Sequence, residues 1–248
     1  MVFKYTSQDK EKHVEFHDPV FVCKQQETKN AIQADLIKAI DDLIAVISSN
    51  AERVKKLDVI YHEDITTVQK EICKKAITEY NSLSALSNKV SDIYLILLDI
   101  YTYGSHMILA NEEWDWRAFA RHLYTILYEH SKTVNRLLNE IVKILKSNID
   151  DKDEIGNLIF AKKEFSAFIN VHITFAKQIR IKVDAHFDGE VTERIDMITN
   201  LSYFNTAQLY YDYISKMHAL LKELKPLLVK LRRSADGNYY SLMISSKM

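Results

Sequence analysis

Arg180 lies six residues ahead of His186 in the segment running from Gln178 to Gly189. An imidazole takes or delivers a proton near neutral pH, and a guanidinium stabilises negative charge on phosphoryl oxygens. The two together suit metal-independent chemistry at a phosphate. On an ideal helix they lie about 120° apart, so a shared site needs the helix to fray at its end or a second copy to meet it across a two-fold axis. The competing reading pairs Arg180 with Asp184 at (i, i+4) and makes His186 a core-edge residue. A second constellation follows Trp114, where Arg117 precedes His122 with four residues between them. Arg117, Arg121, Tyr124 and Tyr128 form one stripe there, opposite the apolar face. Arginine interleaved with tyrosine binds phosphate and stacks bases, or packs as the second face of a central bundle helix.

Other chemistries lack their residues. No Glu-x-x-His is present, which removes the usual di-iron site of a helical bundle. His-Glu-x-x-His, Gly-x-Ser-x-Gly, a Walker loop and Cys-x-x-Cys are also absent. Cys23 and Cys73 stand alone, fifty positions apart, with neither metal spacing nor a disulfide framework. His130 and His172 fall on apolar helical stripes and read as core residues. His13 and His17, with Glu15 and Asp18, show no spacing that demands a metal. No cofactor is implied. The cluster of Tyr203, Phe204, Tyr210, Tyr211 and Tyr213 reads as core and interface.

The arginine–histidine spacing resembles the Arg-x(4–6)-His motif of the HEPN superfamily, whose members often carry a polar residue where this chain has Ile181. That family consists of all-α bundles, often dimeric. Many are metal-independent ribonucleases of toxin–antitoxin and phage-defence systems, and others are inactive RNA-binding or scaffold relatives. The resemblance implies that Arg180 and His186 form the catalytic pair and that RNA is the substrate or ligand. By spacing, Arg117 and His122 match the motif as well. Arg121, Tyr124 and Tyr128 complete the candidate RNA-binding set.

The elements that must position these residues follow from composition. The 248-residue chain has only four glycines and two prolines, about a fifth of average usage. Without the positive-φ and turn residues that hairpins and phosphate loops need, an all-α fold remains. Hydrophobic residues make up 47% and charged residues 27%, enough for a large core, and the net charge of -1 provides no whole-molecule attraction to nucleic acid. No apolar run is long enough to span a membrane, and Met1 to Lys10 lacks the apolar stretch of a secretory signal. The unpaired cysteines fit a reducing, cytoplasmic setting.

Apolar periodicity predicts about five long helices in an elongated up-and-down bundle. The first runs from Gln25 to about Tyr61. The second is capped by Asp64 and reaches Gly104, with a possible break at Ser82 to Asn88. The third follows an Asn111 cap to about Asn148, the fourth runs from Asp151–Glu154 to Gly189, and the fifth from Thr192 to about Arg233. This makes an N-terminal arm over 1–24, with Val20 to Cys23 extended, a single domain over 25–233 and a tail over 234–248. In the fifth helix Tyr203, Ala207, Tyr210, Ile214, Met217, Leu221, Leu224, Leu228 and Leu231 alternate steps of four and three, a seam for packing within the bundle or across a homodimer. Pro226 is expected to kink or interrupt it, and Lys225, Lys230, Arg232 and Arg233 to complement its C-terminus. The alternative to an RNA-directed protein is a non-enzymatic interaction module that dimerises, or docks a protein partner, through this seam.

Overall fold

Apolar stripes at helical spacing, with almost no helix breakers, fold this chain into long helices. The computed structural model describes residues 19–149, 152–185 and 191–245. They form α1 (Pro19–Tyr61), α2 (Thr67–Leu109), α3 (Glu113–Asn148), α4 (Lys152–Ile179), α5 (Val191–Thr199) and α6 (Tyr203–Ser245). A π-helical turn, Arg180–Ala185, follows α4. No strand occurs among the described residues, and the all-α bundle is the architecture observed. The rest of the expected arm, residues 1–18, lies outside the described residues.

Several boundaries differ from the sequence reading. α1 starts at Pro19, because proline's fixed φ suits a first helical turn; residues 19–24 are therefore helical, not extended. The cap of α2 is Thr66 and not Asp64. Its hydroxyl accepts from the Gln69 amide at 3.3 Å while Gln69 Oε1 accepts from the Thr66 amide at 2.9 Å, a reciprocal capping box. α2 continues through Ser82 to Asn88 because the local hydroxyls are engaged without opening the helix: Ser84 accepts from Asn50, and Ser91 donates to the Ser87 carbonyl. Nor does Gly104 end α2. A Cβ there would lie 2.1 Å from Cε2 of Tyr210, so the glycine permits close approach of a buried ring.

The expected fifth helix is two. α5 ends at Thr199, and Ser202 starts α6 by accepting from the Asn205 amide on its hydroxyl at 3.2 Å. α6 passes through Pro226 without interruption and continues beyond Arg233 to Ser245. Ala235 and Leu242 are buried on this continuation, which is why residues after Arg233 do not form a tail.

Two compact units divide the chain. The first comprises α1 up to Ile37, Leu95–Arg136 and Lys163–His218. Its core is rich in aromatics: Trp116, Tyr124, Phe165, Tyr203, Tyr210 and Tyr213 are all buried. The second comprises Lys38–Tyr94, Leu137–Lys162 and α6 from Ala219 onward. Its core is aliphatic, built on Leu57, Leu86, Ile93, Ile141, Leu145, Leu158 and Leu227, with Tyr80 fully buried among them.

Six of the nine seam positions of α6 are buried, and Ile214, Leu221 and Leu228 are half-buried. In the first unit Tyr203, Ala207, Tyr210 and Met217 are buried, and in the second Leu224 and Leu231.

Candidate functional site

Arg180 sits where α4 changes from α- to π-helical hydrogen bonding. Ile179 and Val183 on either side are buried and anchor the segment, while the Arg180 side chain remains 37% exposed. Its Nε donates to Glu129 Oε1 on α3 at 2.7 Å. The carboxylate that holds Arg180 thus comes from another helix. Asp184's side chain lies outside the described residues. One residue pair further along, Lys182 binds Glu193 on α5, tying the π-helical turn to the short helix. His186, the proposed proton carrier, and Gly189, the expected helix stop, also lie outside the described residues.

The second constellation divides into buried and accessible members. Arg117 is 0% exposed. Its Nη1 donates to the carbonyls of Ile198, Thr199 and Leu201 at 2.9, 2.9 and 3.0 Å, and its Nε and Nη2 donate to Glu113 Oε1 at 3.0 and 2.8 Å. Those carbonyls belong to the end of α5 and the turn after it, where a helix leaves acceptors without intrahelical donors. A cation at that end also complements the helix dipole. Arg117 therefore caps α5 and presents no guanidinium to solvent. Its guanidinium carbon lies 4.5 Å from the centroid of the Trp116 ring.

Tyr124 is likewise buried. The Thr206 hydroxyl donates to the Ser202 carbonyl at 2.7 Å, leaving its oxygen to accept from Tyr124 at 3.4 Å. Burial pushes the Tyr124 phenol above its ordinary range. Arg121, His122 and Tyr128 are half-buried and reach the surface of the unit. Arg121 Nη2 approaches His122 Nε2 at 3.4 Å, the His122 ring lies 5.8 Å from that of Tyr103, and Lys132 donates to the Tyr128 hydroxyl at 2.8 Å. Arg117 and Tyr124 are buried, whereas Arg121, His122 and Tyr128 keep part of their surface exposed.

Three further histidines of this unit have local partners. His130 meets Asp99 at 3.2 Å, and His172 packs on Phe168. His172 also lines a cavity of about 10 Å³ with Leu127, Leu209 and Tyr213, room for no more than one water. Lys29, 9% exposed, donates to His106 Nε2 at 3.4 Å, which requires that nitrogen to be unprotonated. Desolvation and the Lys29 charge both lower the His106 pKa. Burial raises the tyrosine pKa values near Gly104, Tyr211 to about 12. Among the described residues, no group of three or more His, Cys, Asp or Glu side chains could hold a metal, and no helix is long and apolar enough to cross a membrane.

In the second unit Arg53 pairs with Asp236 and donates to the Tyr80 hydroxyl at 3.0 Å, and that hydroxyl donates to Asp236 at 2.8 Å. Glu79, 5% exposed, accepts from Ser234 and Asn238, each at 2.8 Å. These bonds fasten the last turns of α6 to α1 and α2. Sequence reasoning missed Glu129, the turn carbonyls on Arg117 and both of these clusters. Only the Glu113–Arg117 pair carried a signal, its (i, i+4) spacing.

Compared with protein-family models, curated proteins and solved structures, the chain matches none.

Proposed function

We propose that this chain binds and cleaves RNA in the manner of the HEPN proteins its motif resembles, with Arg180 and His186 as the functional pair. The observation that carries the reading is the π-helical turn that begins at Arg180. Such turns interrupt the regular ladder at a cost in hydrogen-bond geometry and are frequent at functional sites. Arg180 is partly exposed there, in an ion pair with a half-exposed Glu129. An ion pair this open to solvent has little net stability, so a phosphate can replace the carboxylate at small expense. Arg180 then holds charge on the phosphoryl oxygens while His186 removes the 2′-hydroxyl proton or protonates the leaving oxygen. Arg121, His122 and Tyr128 belong to the same unit and retain surface for RNA contact. A homodimer with two copies of the motif, in a toxin-like or phage-defence role, is part of the same reading.

The test is incubation of the purified chain with end-labelled RNA in a metal chelator. Cleavage is expected, with His186→Ala reducing it on the order of 10²-fold or more, Arg180→Ala also lowering it, and circular dichroism unchanged in both. RNA left intact by the wild type, or cleaved equally by His186→Ala, overturns the catalytic reading. RNA binding indifferent to Arg180→Ala and to changes at Arg121 and His122 overturns the site.

A further inference from the structure

The cations of α6 do not have the role that their place in the sequence indicates. Lys225, Lys230, Arg232 and Arg233 would complement a helix C-terminus if α6 ended near them, but it runs on to Ser245, about three turns further. The dipole effect is confined to the last turn. All four are exposed, as is Lys222.

Their mutual arrangement is unfavourable as it stands. Lys222 and Lys225 are like-charged neighbours at (i, i+3), which destabilises a helix. The (i, i+4) positions after Lys222, Lys225 and Arg233 hold Pro226, Val229 and Gly237, none of them acidic. Asp236, three residues after Arg233, is engaged by Arg53 and Tyr80. Lys222, Lys225 and Arg233 form no ion pair among the described residues. The stripe spans about 16 Å along the helix, and its side chains line a recess of about 560 Å³ together with Pro226 and Val229.

Beside it lies an apolar groove. Leu43 and Val46 of α1, Leu83 of α2 and Leu228 and Val229 of α6 line a cavity of about 190 Å³, with Lys225 and Arg232 at its edge. That volume is below the ~300 Å³ at which small-molecule pockets begin and suits an anchoring side chain. Val229 is 41% exposed and Ile44, next to Leu43, is 52% exposed. Lys225 and Val229 line both recesses, so the apolar groove and the cationic stripe are continuous. Asp41 and Asp42 are exposed on α1, so the cationic edge belongs to α6 alone.

From this geometry we infer that the groove between α1 and α6 in the second unit docks an acidic amphipathic helix of a partner protein. The partner places an apolar side chain in the groove and sets a row of Asp or Glu along Lys222, Lys225 and Arg233. Anchors at i, i+3, i+4 and i+7 are how a helix fills such a groove. Carboxylates along one flank remove the like-charge repulsion between Lys222 and Lys225. RNA fits the stripe less well, because no aromatic side chain lines either recess to stack a base. The inference is independent of the ribonuclease reading, which concerns the other unit.

Selection of a random peptide library on the intact chain, followed by fluorescence anisotropy of the enriched peptides, tests it. Enriched peptides are expected to be acidic, with apolar residues at helical spacing, and to bind more weakly as salt rises. Lys225→Glu combined with Arg233→Glu, and separately Val229→Asp, should each weaken binding on the order of ten-fold. Both alter exposed positions, so the melting temperature should stay close to wild type. Enrichment of neutral or basic peptides, no enrichment at all, or unchanged binding in both variants overturns the inference. Poly-uridine RNA that binds and depends on Lys225 and Arg233, where no acidic peptide does, overturns it in favour of a nucleic-acid surface.

Discussion

Each of the two units encloses an arginine, one fully and one in part. In the first, Arg117 is sealed at 0% exposure, with its donors turned to three carbonyls and one carboxylate. In the second, Arg53 keeps 20% of its side chain exposed and shares Asp236 with Tyr80. The cores differ in the same direction. Trp116 meets Tyr203, Phe165 meets Tyr213 and Tyr124 meets Phe175 edge to face in the first unit, with centroids 5.3, 5.4 and 5.1 Å apart. Leucine and isoleucine fill the second. Aromatic edges and a fixed guanidinium fork admit few alternative arrangements, whereas aliphatic cores tolerate repacking. The first unit is the geometrically determined one, and it holds the short helix and the π-helical turn. The second leaves its charge on the surface, along α6.

The comparison is most sharply broken at Arg117. Replacing it with methionine leaves the end of α5 uncapped and Glu113 without its cation, and should cost about 3–5 kcal/mol in urea unfolding. A loss below about 1 kcal/mol would make Arg117 an ordinary surface arginine and erase the contrast with Arg53.

The glycines come next. Gly104→Ala drives a methyl into the buried Tyr210 ring and should destabilise by about 1–3 kcal/mol, despite alanine's better helix propensity. Gly237, in α6 of the second unit, has nothing within 4 Å of the added carbon, so Gly237→Ala should stabilise by up to about 1 kcal/mol. Thermal melts of the two variants should move in opposite directions.

Smallest is a pH effect in the first unit. Below about pH 6.5 the unfolded chain protonates His106, while the folded chain, with the pKa lowered by desolvation and Lys29, resists. The unfolded state then binds more protons, so stability falls as the pH drops through that range. The decline should be shallow, because His106 is an exposed residue, and His106→Gln should flatten it in melts taken between pH 7 and pH 5.

Helicity was legible because it depends on local quantities: the spacing of apolar residues along α1 to α6 and the scarcity of glycine and proline. Helix ends were less so. Asp64 and Thr66 are both acceptable caps by type, and only the Gln69 side chain folding back onto Thr66 decides between them. At the candidate site the sequence supplied Arg180 and the Arg117 stripe, but not their partners. Glu129 is 51 residues from Arg180 and the α5 carbonyls more than 80 from Arg117, and no periodicity connects positions that far apart.

By itself, then, the sequence determined an all-helical chain, the apolar face of each helix and the motif worth testing, since these follow from side-chain type and local spacing. Tertiary structure decided the roles. It turned Arg117 from a phosphate candidate into a helix cap, and Gly104 from a helix stop into a contact for Tyr210. By extending α6 past Arg233 it also left a row of lysines and arginines without the helix terminus that would have explained them. Each of these depends on which atoms of a distant helix lie within a few ångströms, and that is set only when the helices pack.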